Sequence, residues 1–326
     1  MVVINENKSK IFKILLIGAG NLGSRYLQGL LYVNHKCNIY VVDNSKKALD
    51  LIKKRIEGVE SHHHEILFNS EIPENIHKFD LAIVATTSNS RAELINKLID
   101  KYKIHFWIIE KVLAQSISEL NQISNCFGKS KNVWVNTPRR IMPLYKNFKS
   151  KLQKETKSPI NIEVKGGKWG LACNSIHFID LFEWITDSRV LDIDSSLIKT
   201  WFSSKRYGFV EAIGEIKIYF GDKSKLRLQC LDIESDLQIK IKTNTEEWTI
   251  NEKEGFARCP KKGIIKGEIL YQSNLTAPLV EEIISFGKIK LPCIDQSIRQ
   301  HTKLINSFLE SWNTLYKKND KIIKIT

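Results

Sequence analysis

The chain has 326 residues, of which 42% are hydrophobic and 26% are charged, and it carries a formal net charge of +14. At roughly 100–200 residues per domain, this length predicts two domains. No apolar run approaches the roughly 20 residues that span a bilayer, and the polar amino-terminal segment lacks the apolar stretch of a signal peptide. We therefore expect a cytoplasmic protein without a membrane partner.

Cysteines, histidines and lysines in this sequence indicate neither a metal site nor a nucleic-acid partner. The six cysteines are scattered without a CxxC pair, which favours reduced thiols over a disulfide framework or a zinc site. His62, His63 and His64 are adjacent; because they cannot all converge on one ion, we interpret them as a polar loop. The lysines are dispersed, which indicates general solubility or attraction to an anionic substrate.

In the first part of the chain, short apolar strands alternate with helices. Phe12–Ile17 is a continuous apolar run, as in a buried strand, and GAGNLG follows it directly. The other predicted elements here are helix Ser24–Val33, strand Asn38–Val42, helix Ser45–Glu57, strand Leu81–Ala85, helix Arg91–Tyr102, strand His105–Ile109, helix Ser116–Cys126 and strand Val133–Val135. This alternation predicts βαβ units and a mostly parallel sheet.

After about Asn136 the pattern changes, and strands follow one another without intervening helices, which favours an antiparallel sheet. The predicted elements are helices Pro143–Glu155, Asn174–Thr186 and Ser297–Tyr316, strands Asn161–Lys165, Glu215–Phe220, Leu226–Leu231, Leu237–Thr243 and Glu247–Ile250, and a glycine-rich turn at Gly166–Gly170. We therefore expect a dinucleotide-binding domain over residues 1–135 and an α/β domain over residues 136–326.

Gly18, Gly20 and Gly23 form a GxGxxG motif between the first strand and the first helix. The first glycine permits the tight turn, the second lets backbone approach a pyrophosphate, and the third allows close packing of helix on strand. Asp43 ends the second strand, where a carboxylate accepts hydrogen bonds from ribose hydroxyls. This combination predicts a Rossmann domain that binds NAD. The carboxylate would repel a 2′-phosphate, so NADP is less favoured, although two lysines follow closely.

Further along the chain, five segments match motifs of one family in the same order. They are Ala85–Arg91 (ATTSNSR), Glu110–Lys111, Asn136–Pro143 (NTPRRIMP), Asn174–Asp180 (NSIHFID) and Leu291–Pro292. With GAGNLG, they make the chain resemble the glucose–fructose oxidoreductase/inositol dehydrogenase (Gfo/Idh/MocA) family over nearly its whole length. The first two segments resemble the family's ATxxxxH and EKP, with Arg91 in place of the His and Val112 in place of the Pro.

The resemblance implies an α/β protein with an N-terminal Rossmann domain and a C-terminal α/β domain that has an open, mainly antiparallel sheet. It implies hydride transfer between nicotinamide and a hydroxyl-bearing carbon of a sugar or sugar derivative, which we expect to be nucleotide-linked or anionic, and a homodimer or homotetramer. The cofactor-binding residues that it implies are Gly18, Gly20, Asn21, Leu22, Gly23, Asp43, Ala85, Thr86, Thr87, Asn89, Glu110 and Lys111.

Lys111 and His177 are the catalytic residues that the resemblance implies. Lys111 follows a strand at the carboxyl edge of the sheet, where it can hydrogen-bond the reacting oxygen or take its proton; the alternative is a plain surface lysine. His177 shares a helix with Asn174 and Asp180 at a spacing of three, so the three can lie on one face. Asp180 can fix the tautomer of the imidazole or cap a polar face, and a structural role is the alternative for His177.

The residues predicted to bind substrate are Arg139, Arg140, Trp169, Asn174 and Asp180. Either arginine can hold a phosphate or carboxylate with two hydrogen bonds, or form an interdomain salt bridge. Trp169 can stack on a sugar or base, or belong to the core or an interface. Asn174 can hydrogen-bond a sugar hydroxyl but cannot act as a base.

Cys173 stands where the family commonly has Asp, four residues before His177. The contribution of that carboxylate to proton transfer or substrate binding is then lost or altered. Two other functions stay open: reduction of an imine or conjugated double bond, and a non-catalytic NAD-binding regulator. Retention of Lys111 and His177 argues against the regulator, and Cys173 argues for it.

Overall fold

The computed structural model describes residues 11–59, 63–128, 130–155 and 159–326. The first sheet contains six strands, which alternate with four helices along the chain. In chain order these elements are β1 (Phe12–Ile17), α1 (Asn21–Leu30), β2 (Cys37–Val42), α2 (Lys46–Ile56), β3 (Glu65–Asn69), β4 (Lys78–Val84), α3 (Arg91–Lys101), β5 (Lys103–Glu110), α4 (Ile117–Phe127) and β6 (Val133–Asn136).

The strand order of this sheet is β3-β2-β1-β4-β5-β6, which is the order of the doubly wound dinucleotide-binding fold. The central strand β1 pairs in parallel with β2 on one side and with β4 on the other. The side chains of Ile14, Leu15 and Leu16 are fully buried, as expected of a strand with helices on both faces. The predicted parallel Rossmann sheet is confirmed.

The described residues after β6 supply eight strands and four helices. In chain order these are α5 (Pro143–Glu155), β7 (Asn161–Gly167), α6 (Leu171–Thr186), β8 (Val190–Ser203), β9 (Val210–Phe220), β10 (Lys225–Leu231), β11 (Gln238–Lys242), β12 (Glu247–Asn251), β13 (Phe256–Cys259), β14 (Gly263–Lys266), α7 (Gln272–Phe286) and α8 (Ile294–Tyr316), with a 3-10 turn at Pro138–Ile141 before α5. The strand order is β14-β13-β12-β11-β7-β10-β9-β8. Pairing is antiparallel except between β7 and β10, so the predicted mainly antiparallel sheet is confirmed.

Contacts divide the chain into two compact units, which we describe separately. The first unit comprises the described residues up to Thr86, together with Leu98–Ile108 and Tyr271–Ile289. The second comprises Thr87–Lys97, Ile109–Leu270 and Lys290–Thr326. Helix α7 therefore belongs to the unit that holds the glycine loop. It packs on α1, where a Cβ at Gly29 would lie only 2.4 Å from the carbonyl oxygen of Ser273.

Several elements differ from the sequence-based expectations. Helix α7 was not predicted, because Pro278 lies inside it and no side chain caps its start. Strands β3, β8, β13 and β14 were not predicted either; β13 and β14 have four residues each. Helices α1 and α6 each begin three residues earlier than expected, at Asn21 and Leu171.

The histidine run precedes β3. His62 lies outside the described residues, whereas His63 and His64 lie in a loop as predicted, with His63 exposed. His64 is buried and accepts a hydrogen bond at Nδ1 from the N–H of Cys37, 3.2 Å away. This burial of His64 was not predicted. Within the described ranges, no helix combines the length and apolar character required to cross a membrane.

Candidate active site

The glycine loop of the first unit has the geometry that the GxGxxG motif predicts. Gly18 has a φ of +98°, and a Cβ there would lie 2.9 Å from the carbonyl group of Ala85. A Cβ at Gly23 would lie 1.8 Å from the carbonyl oxygen of Gly18, so only glycine lets α1 start this close to the loop. At Gly20 a Cβ would meet nothing within 4 Å, which leaves open space beside the backbone at this position.

Asp43 holds the glycine loop. Its Oδ2 accepts a hydrogen bond from the N–H of Ala19 at 2.7 Å, and its Oδ1 accepts one from the N–H of Ser45 at 2.8 Å. The carboxylate stays partly exposed, and each oxygen keeps a further lone pair for a ribose hydroxyl. Sequence reasoning predicted the ribose role of Asp43 but not its bond to the loop.

A dinucleotide fits this loop. Gly20, the N-cap of α1, provides no side-chain cap for the helix, so the first amides of α1 are available to a pyrophosphate. Asn21 and Leu22 follow with exposed and partly buried side chains, and the Asn21 Oδ1 accepts a hydrogen bond from Arg55 at 2.8 Å. When bound, NAD supplies the hydride acceptor for an oxidation.

Four other predicted cofactor residues are divided between the two units. Ala85 and Thr86 are partly buried in the first unit, where backbone atoms of both lie within 3.1 Å of the position that a Gly18 Cβ would take. Thr87 and Asn89 are in the second unit, and the Thr87 hydroxyl donates to the Asn89 Oδ1 at 2.5 Å. Their cofactor role remains a prediction.

Lys111 directly follows β5 in the second unit and is partly buried. Its Nζ donates a hydrogen bond to the carbonyl oxygen of Cys173 at 3.2 Å. The lysine and the start of α6, which lie far apart in the sequence, are therefore in direct contact. Lys111 is not a plain surface lysine.

Arg91 fixes the backbone on both sides of Lys111. Its side chain is 1% exposed, and its Nη1 donates to the carbonyl oxygen of Glu110 at 2.6 Å and to that of Val112. Glu110 is also buried and accepts a hydrogen bond from Asn136 at 2.6 Å. The replacement of the family's usual His by Arg91 therefore supplies two hydrogen bonds to the segment that carries Lys111.

His177 lies on α6, one helical turn beyond Cys173. The side chain is partly buried, and its Nδ1 is buried with no hydrogen-bond partner among the described residues. Burial, with the nearby charges of Lys111 and Arg139, holds the pKa of His177 well below its usual value. A neutral imidazole with one unsatisfied nitrogen can accept a proton or a hydrogen bond from a ligand.

His301 on α8 was missed by sequence reasoning. It is fully buried, its Nδ1 lies 2.7 Å from the carbonyl oxygen of Ser297, and its Nε2 has no hydrogen-bond partner within the described part of the chain. Burial, together with the nearby charges of Arg91 and Lys111, lowers the pKa of His301 to about 3, although the hydrogen bond with Ser297 opposes this shift. A lone histidine in the middle of a long amphipathic helix gives no sequence signal for this position.

Asp180 does not fix the tautomer of His177. Its carboxylate accepts two hydrogen bonds from Arg140, one of them from Nε at 2.9 Å, and a further one from Gln300 at 3.4 Å. Burial raises the pKa of Asp180 to about 6, and the Arg140 guanidinium opposes this shift. The pair is buried, with Arg140 8% and Asp180 0% exposed. Asp180 is therefore the partner of Arg140, and the proposed pairing with His177 is not observed.

Arg139 also holds a carboxylate of the protein. Its guanidinium donates two hydrogen bonds to Glu252, at 2.8 and 3.1 Å, and lies 4.4 Å from the centroid of the Phe178 ring. Tyr145 donates to the same carboxylate at 2.6 Å. Both predicted substrate-binding arginines are thus engaged within the second unit. While it keeps its carboxylate, either can offer an anionic substrate only its remaining N–H donors.

The side-chain donors of Trp169 and Asn174 are used within the protein. The Trp169 Nε1 donates to the carbonyl oxygen of Gln229 at 2.9 Å, and its ring packs edge-on against Phe178 with centroids 5.6 Å apart. The Asn174 Nδ2 donates to the carbonyl oxygen of Trp169 at 2.7 Å. Both side chains remain partly exposed, so their substrate role stays a prediction.

Glu211 on β9 is another residue that sequence reasoning missed. It is 9% exposed, and its Oε2 accepts a hydrogen bond from the N–H of Ala172 at 2.9 Å. Its Oε1 and the Cys173 Sγ both lie within 3.3 Å of the position that a Cβ on Gly170 would take. A glutamate in a strand of the second sheet carries no motif, so only the fold reveals this proximity.

The comparisons with known proteins agree with this geometry. Residues 12–137 match the family model GFO_IDH_MocA, described as an oxidoreductase family with an NAD-binding Rossmann fold. The matched residues cover the Rossmann domain, from β1 to the residue after β6. The chain is thus an NAD-binding oxidoreductase, and the resemblance noted in its sequence motifs is confirmed.

Solved structures share the fold of this oxidoreductase over nearly its whole length. Scyllo-inositol dehydrogenase from Lactobacillus casei, with NAD(H) and scyllo-inositol, is 16% identical, with coverage of 94% and 98% of the two chains and a TM-score of 0.67. An oxidoreductase from Agrobacterium radiobacter in complex with NAD+, L-tartaric acid and magnesium is 15% identical (93% and 97%, TM-score 0.70). UDP-N-acetylglucosamine 3-dehydrogenase from Acidithiobacillus ferrooxidans is 10% identical (91% and 96%, TM-score 0.68). No curated protein matches the chain significantly.

Proposed function

We propose that this oxidoreductase transfers hydride between NAD and a hydroxyl-bearing carbon of a sugar or cyclic polyol. The observation that carries the proposal is the Lys111–His177 cluster of the second unit. The Lys111 Nζ is fixed on the carbonyl oxygen of Cys173, and His177 follows one turn later with a buried, unsatisfied Nδ1. A neutral imidazole can accept the hydroxyl proton and an ammonium can stabilise negative charge on the oxygen, the two tasks that oxidation of an alcohol sets for the protein.

In the oxidation, the carbon gives up a hydride and the hydroxyl gives up a proton, and a carbonyl group remains. His177 is uncharged at neutral pH because burial and the neighbouring cations disfavour its imidazolium form, so its free nitrogen can accept the hydroxyl proton. Lys111 donates a hydrogen bond to the oxygen on which negative charge develops. In the reverse direction, the same groups return the proton to the new hydroxyl.

The pairing of Arg139 and Arg140 with carboxylates of the protein favours a neutral substrate over an anionic one. Arg139 and Arg140 each hold a carboxylate through two hydrogen bonds, and removal of either from its partner would leave a buried charge unpaired. A substrate rich in hydroxyl groups places no such demand on the site. The relative with bound scyllo-inositol supports this class.

Cofactor reduction tests the proposal. Purified protein is mixed with NAD+ and a panel of free, phosphorylated and nucleotide-linked sugars and cyclic polyols, and NADH absorbance is followed. We expect turnover with at least one neutral polyol, and its loss in Lys111→Ala and in His177→Ala. The exposed residues Lys199 and His105 supply matched controls, Lys199→Ala and His105→Ala, which should retain activity. Turnover that survives in Lys111→Ala and His177→Ala would refute these catalytic roles.

We also propose a cytoplasmic homo-oligomer with a domain boundary at residues 135/136, the end of β6. The six cysteines are free, as in a reducing compartment.

Strand β8 lies at the end of its sheet and exposes Leu191, Leu197 and Phe202, which are 40–59% accessible. Exposed apolar side chains on a long edge strand support an interface between subunits. Light scattering after size-exclusion chromatography gives the mass that decides between monomer and oligomer.

A further inference from the structure

Helix α6 carries Cys173 and His177, and its start is held by a residue of another strand. Gly170, the N-cap, supplies no side-chain cap. Glu211 on β9 takes that role, because its Oε2 accepts a hydrogen bond from the N–H of Ala172 at 2.9 Å. A carboxylate at the start of a helix is stabilised by the free amides and the helix dipole.

We infer that Glu211 replaces, from β9, the carboxylate that the family resemblance places at position 173, and that it is a positioning residue for Lys111. This inference rests on the proposed function. Lys111 donates to the carbonyl oxygen of Cys173, and Glu211 accepts a hydrogen bond from the N–H of Ala172, the preceding residue. The ammonium and the carboxylate therefore contact neighbouring residues in the first turn of α6, although they come from the end of β5 and from β9.

The backbone at Gly170 makes this arrangement possible. Gly170 has a φ of +80°, and a Cβ there would lie 3.0 Å from the Cys173 Sγ, 3.0 Å from the Asn174 Nδ2 and 3.3 Å from the Glu211 Oε1. The missing side chain thus leaves thiol, amide and carboxylate side by side. All three groups belong to the second unit and lie within 3.3 Å of the position that a Gly170 Cβ would take.

The thiol at position 173 and the carboxylate at position 211 complement each other. Burial raises the pKa of Cys173 to about 12, and the charge of Glu211 acts in the same direction. The thiol is therefore neutral; it donates to the carbonyl oxygen of Gly170 at 3.6 Å and lies beside the carboxylate. An aspartate at 173 beside Glu211 would instead form a pair of like charges, which is unfavourable in a buried site. Cys173 in place of the family's Asp and Glu211 on β9 are thus two parts of one exchange, in which the carboxylate is at position 211 instead of position 173.

A double-mutant cycle on the active enzyme tests this exchange. Glu211→Gln keeps an oxygen for the Ala172 N–H but removes the charge, so we expect kcat to fall about tenfold while the KM for NAD+ and the melting temperature change little. Cys173→Asp alone should also lower kcat, because it creates the like-charge pair. The two together return one carboxylate to the site and should restore most of the activity.

Glu215 on the same strand provides the control. It is also buried, but it pairs with Arg227, so Glu215→Gln should leave kcat unchanged. If Glu211→Gln lowers only the melting temperature, or if Cys173→Asp fails to restore activity in the Glu211→Gln background, Glu211 is no more than a helix cap and the inference is overturned.

A second readout separates this inference from the proposed function. Cys173 is partly exposed, so its alkylation by iodoacetamide at mildly alkaline pH can be followed by peptide mass, with Cys173→Ala as the control. Removal of the Glu211 charge favours the thiolate, and we expect alkylation of Cys173 in Glu211→Gln to be about tenfold faster, which corresponds to one pKa unit. An unchanged rate would overturn the inference even if no polyol substrate were found. Absence of turnover in the wild type would overturn only the proposed function.

Discussion

The Lys111 ammonium donates a hydrogen bond to the carbonyl oxygen of Cys173, 3.2 Å away, although 62 positions separate the two residues. This bond joins the segment after β5 to the first turn of α6. His177 follows Cys173 by one helical turn, so a cation and an unsatisfied imidazole nitrogen belong to one cluster. The contact depends on the backbone around Lys111, which Arg91 holds through hydrogen bonds to the carbonyl oxygens of Glu110 and Val112.

Two substitutions in the glycine loop should affect different properties, one the binding of NAD+ and the other the stability of the fold. Gly20→Ala adds a methyl group to open space, so we expect normal stability but weaker NAD+ binding, because the methyl group occupies the approach to the pyrophosphate. Gly23→Ala places a methyl group 1.8 Å from the carbonyl oxygen of Gly18, so the loop must shift and the melting temperature should fall. Calorimetric titration with NAD+ and thermal unfolding of both variants measure the two effects. Equal loss of stability in both would contradict the assignment of Gly20 to ligand approach.

Asp43→Asn should reduce the preference for NAD over NADP. The carboxylate repels a 2′-phosphate, and its removal abolishes that repulsion, while the Asn Oδ1 can still accept one of the two loop hydrogen bonds now made to Ala19 and Ser45. We expect the ratio of the NADP+ to the NAD+ dissociation constant to fall about tenfold, or by about 1.4 kcal/mol. Asp50→Asn, an exposed acid on α2, is the control. An unchanged ratio would show that Asp43 does not face the ribose.

Arg91→Met should destabilise the protein and impair catalysis together. The substitution leaves the buried carbonyl groups of Glu110 and Val112 without their donor, at a cost of about 2–4 kcal/mol in the free energy of unfolding. Because these carbonyl groups flank Lys111, kcat should fall as well. Urea unfolding and steady-state kinetics measure the two effects. The exposed Arg299 gives the control Arg299→Met, and a stable, fully active Arg91→Met would contradict the positioning of Lys111 by Arg91.

The buried histidines should make the fold sensitive to acid. The pKa of His301 is about 3 in the folded state, against about 6.5 in an unfolded chain, so the unfolded state binds the proton first as the pH falls. Stability is therefore complete above pH 6.5 and declines as the pH drops towards 3. His301→Asn keeps a donor for the Ser297 carbonyl oxygen and removes this penalty. Between pH 6.5 and 4.5, the wild type should lose about 2 kcal/mol more free energy of unfolding than this variant.

Equal losses in the wild type and in His301→Asn would show that His301 does not titrate in this way. His177 adds to the same acid sensitivity, since its pKa is also held well below the usual value. The variant His177→Asn should reduce the slope further. These measurements report on stability alone and do not depend on the substrate.

Local patterns were sufficient to predict the nucleotide half of the fold. The apolar run of β1, the glycines at 18, 20 and 23 and the acid at 43 are close in sequence, and the structure gives each glycine the predicted geometry. Helix α7 escaped prediction because its internal Pro278 argues against a helix, whereas its packing on α1 through Gly29 is a tertiary effect. Helix propensity alone cannot reveal that tertiary packing outweighs an unfavourable proline.

The candidate site was predicted only where a motif carries it. Lys111 and His177 lie in recognisable segments, but their surroundings come from residues distant in the sequence. Glu211 and His301 gave no signal, because their importance arises from burial beside α6 and not from their neighbours in the chain. The partner of Asp180 was not predicted for the same reason: spacing along a helix left His177 as one of two options, and the fold supplied Arg140.

Transfer of a substrate hydrogen to NAD+ tests the central claim most directly. The measurement is the mass of the NADH formed when the wild-type protein is mixed with NAD+ and with sugars or cyclic polyols deuterated on carbon. The account predicts NADH that carries one deuterium, formed by the wild type and not by Lys111→Ala or His177→Ala. NADH without deuterium, or bound NAD+ that no polyol reduces, would contradict it.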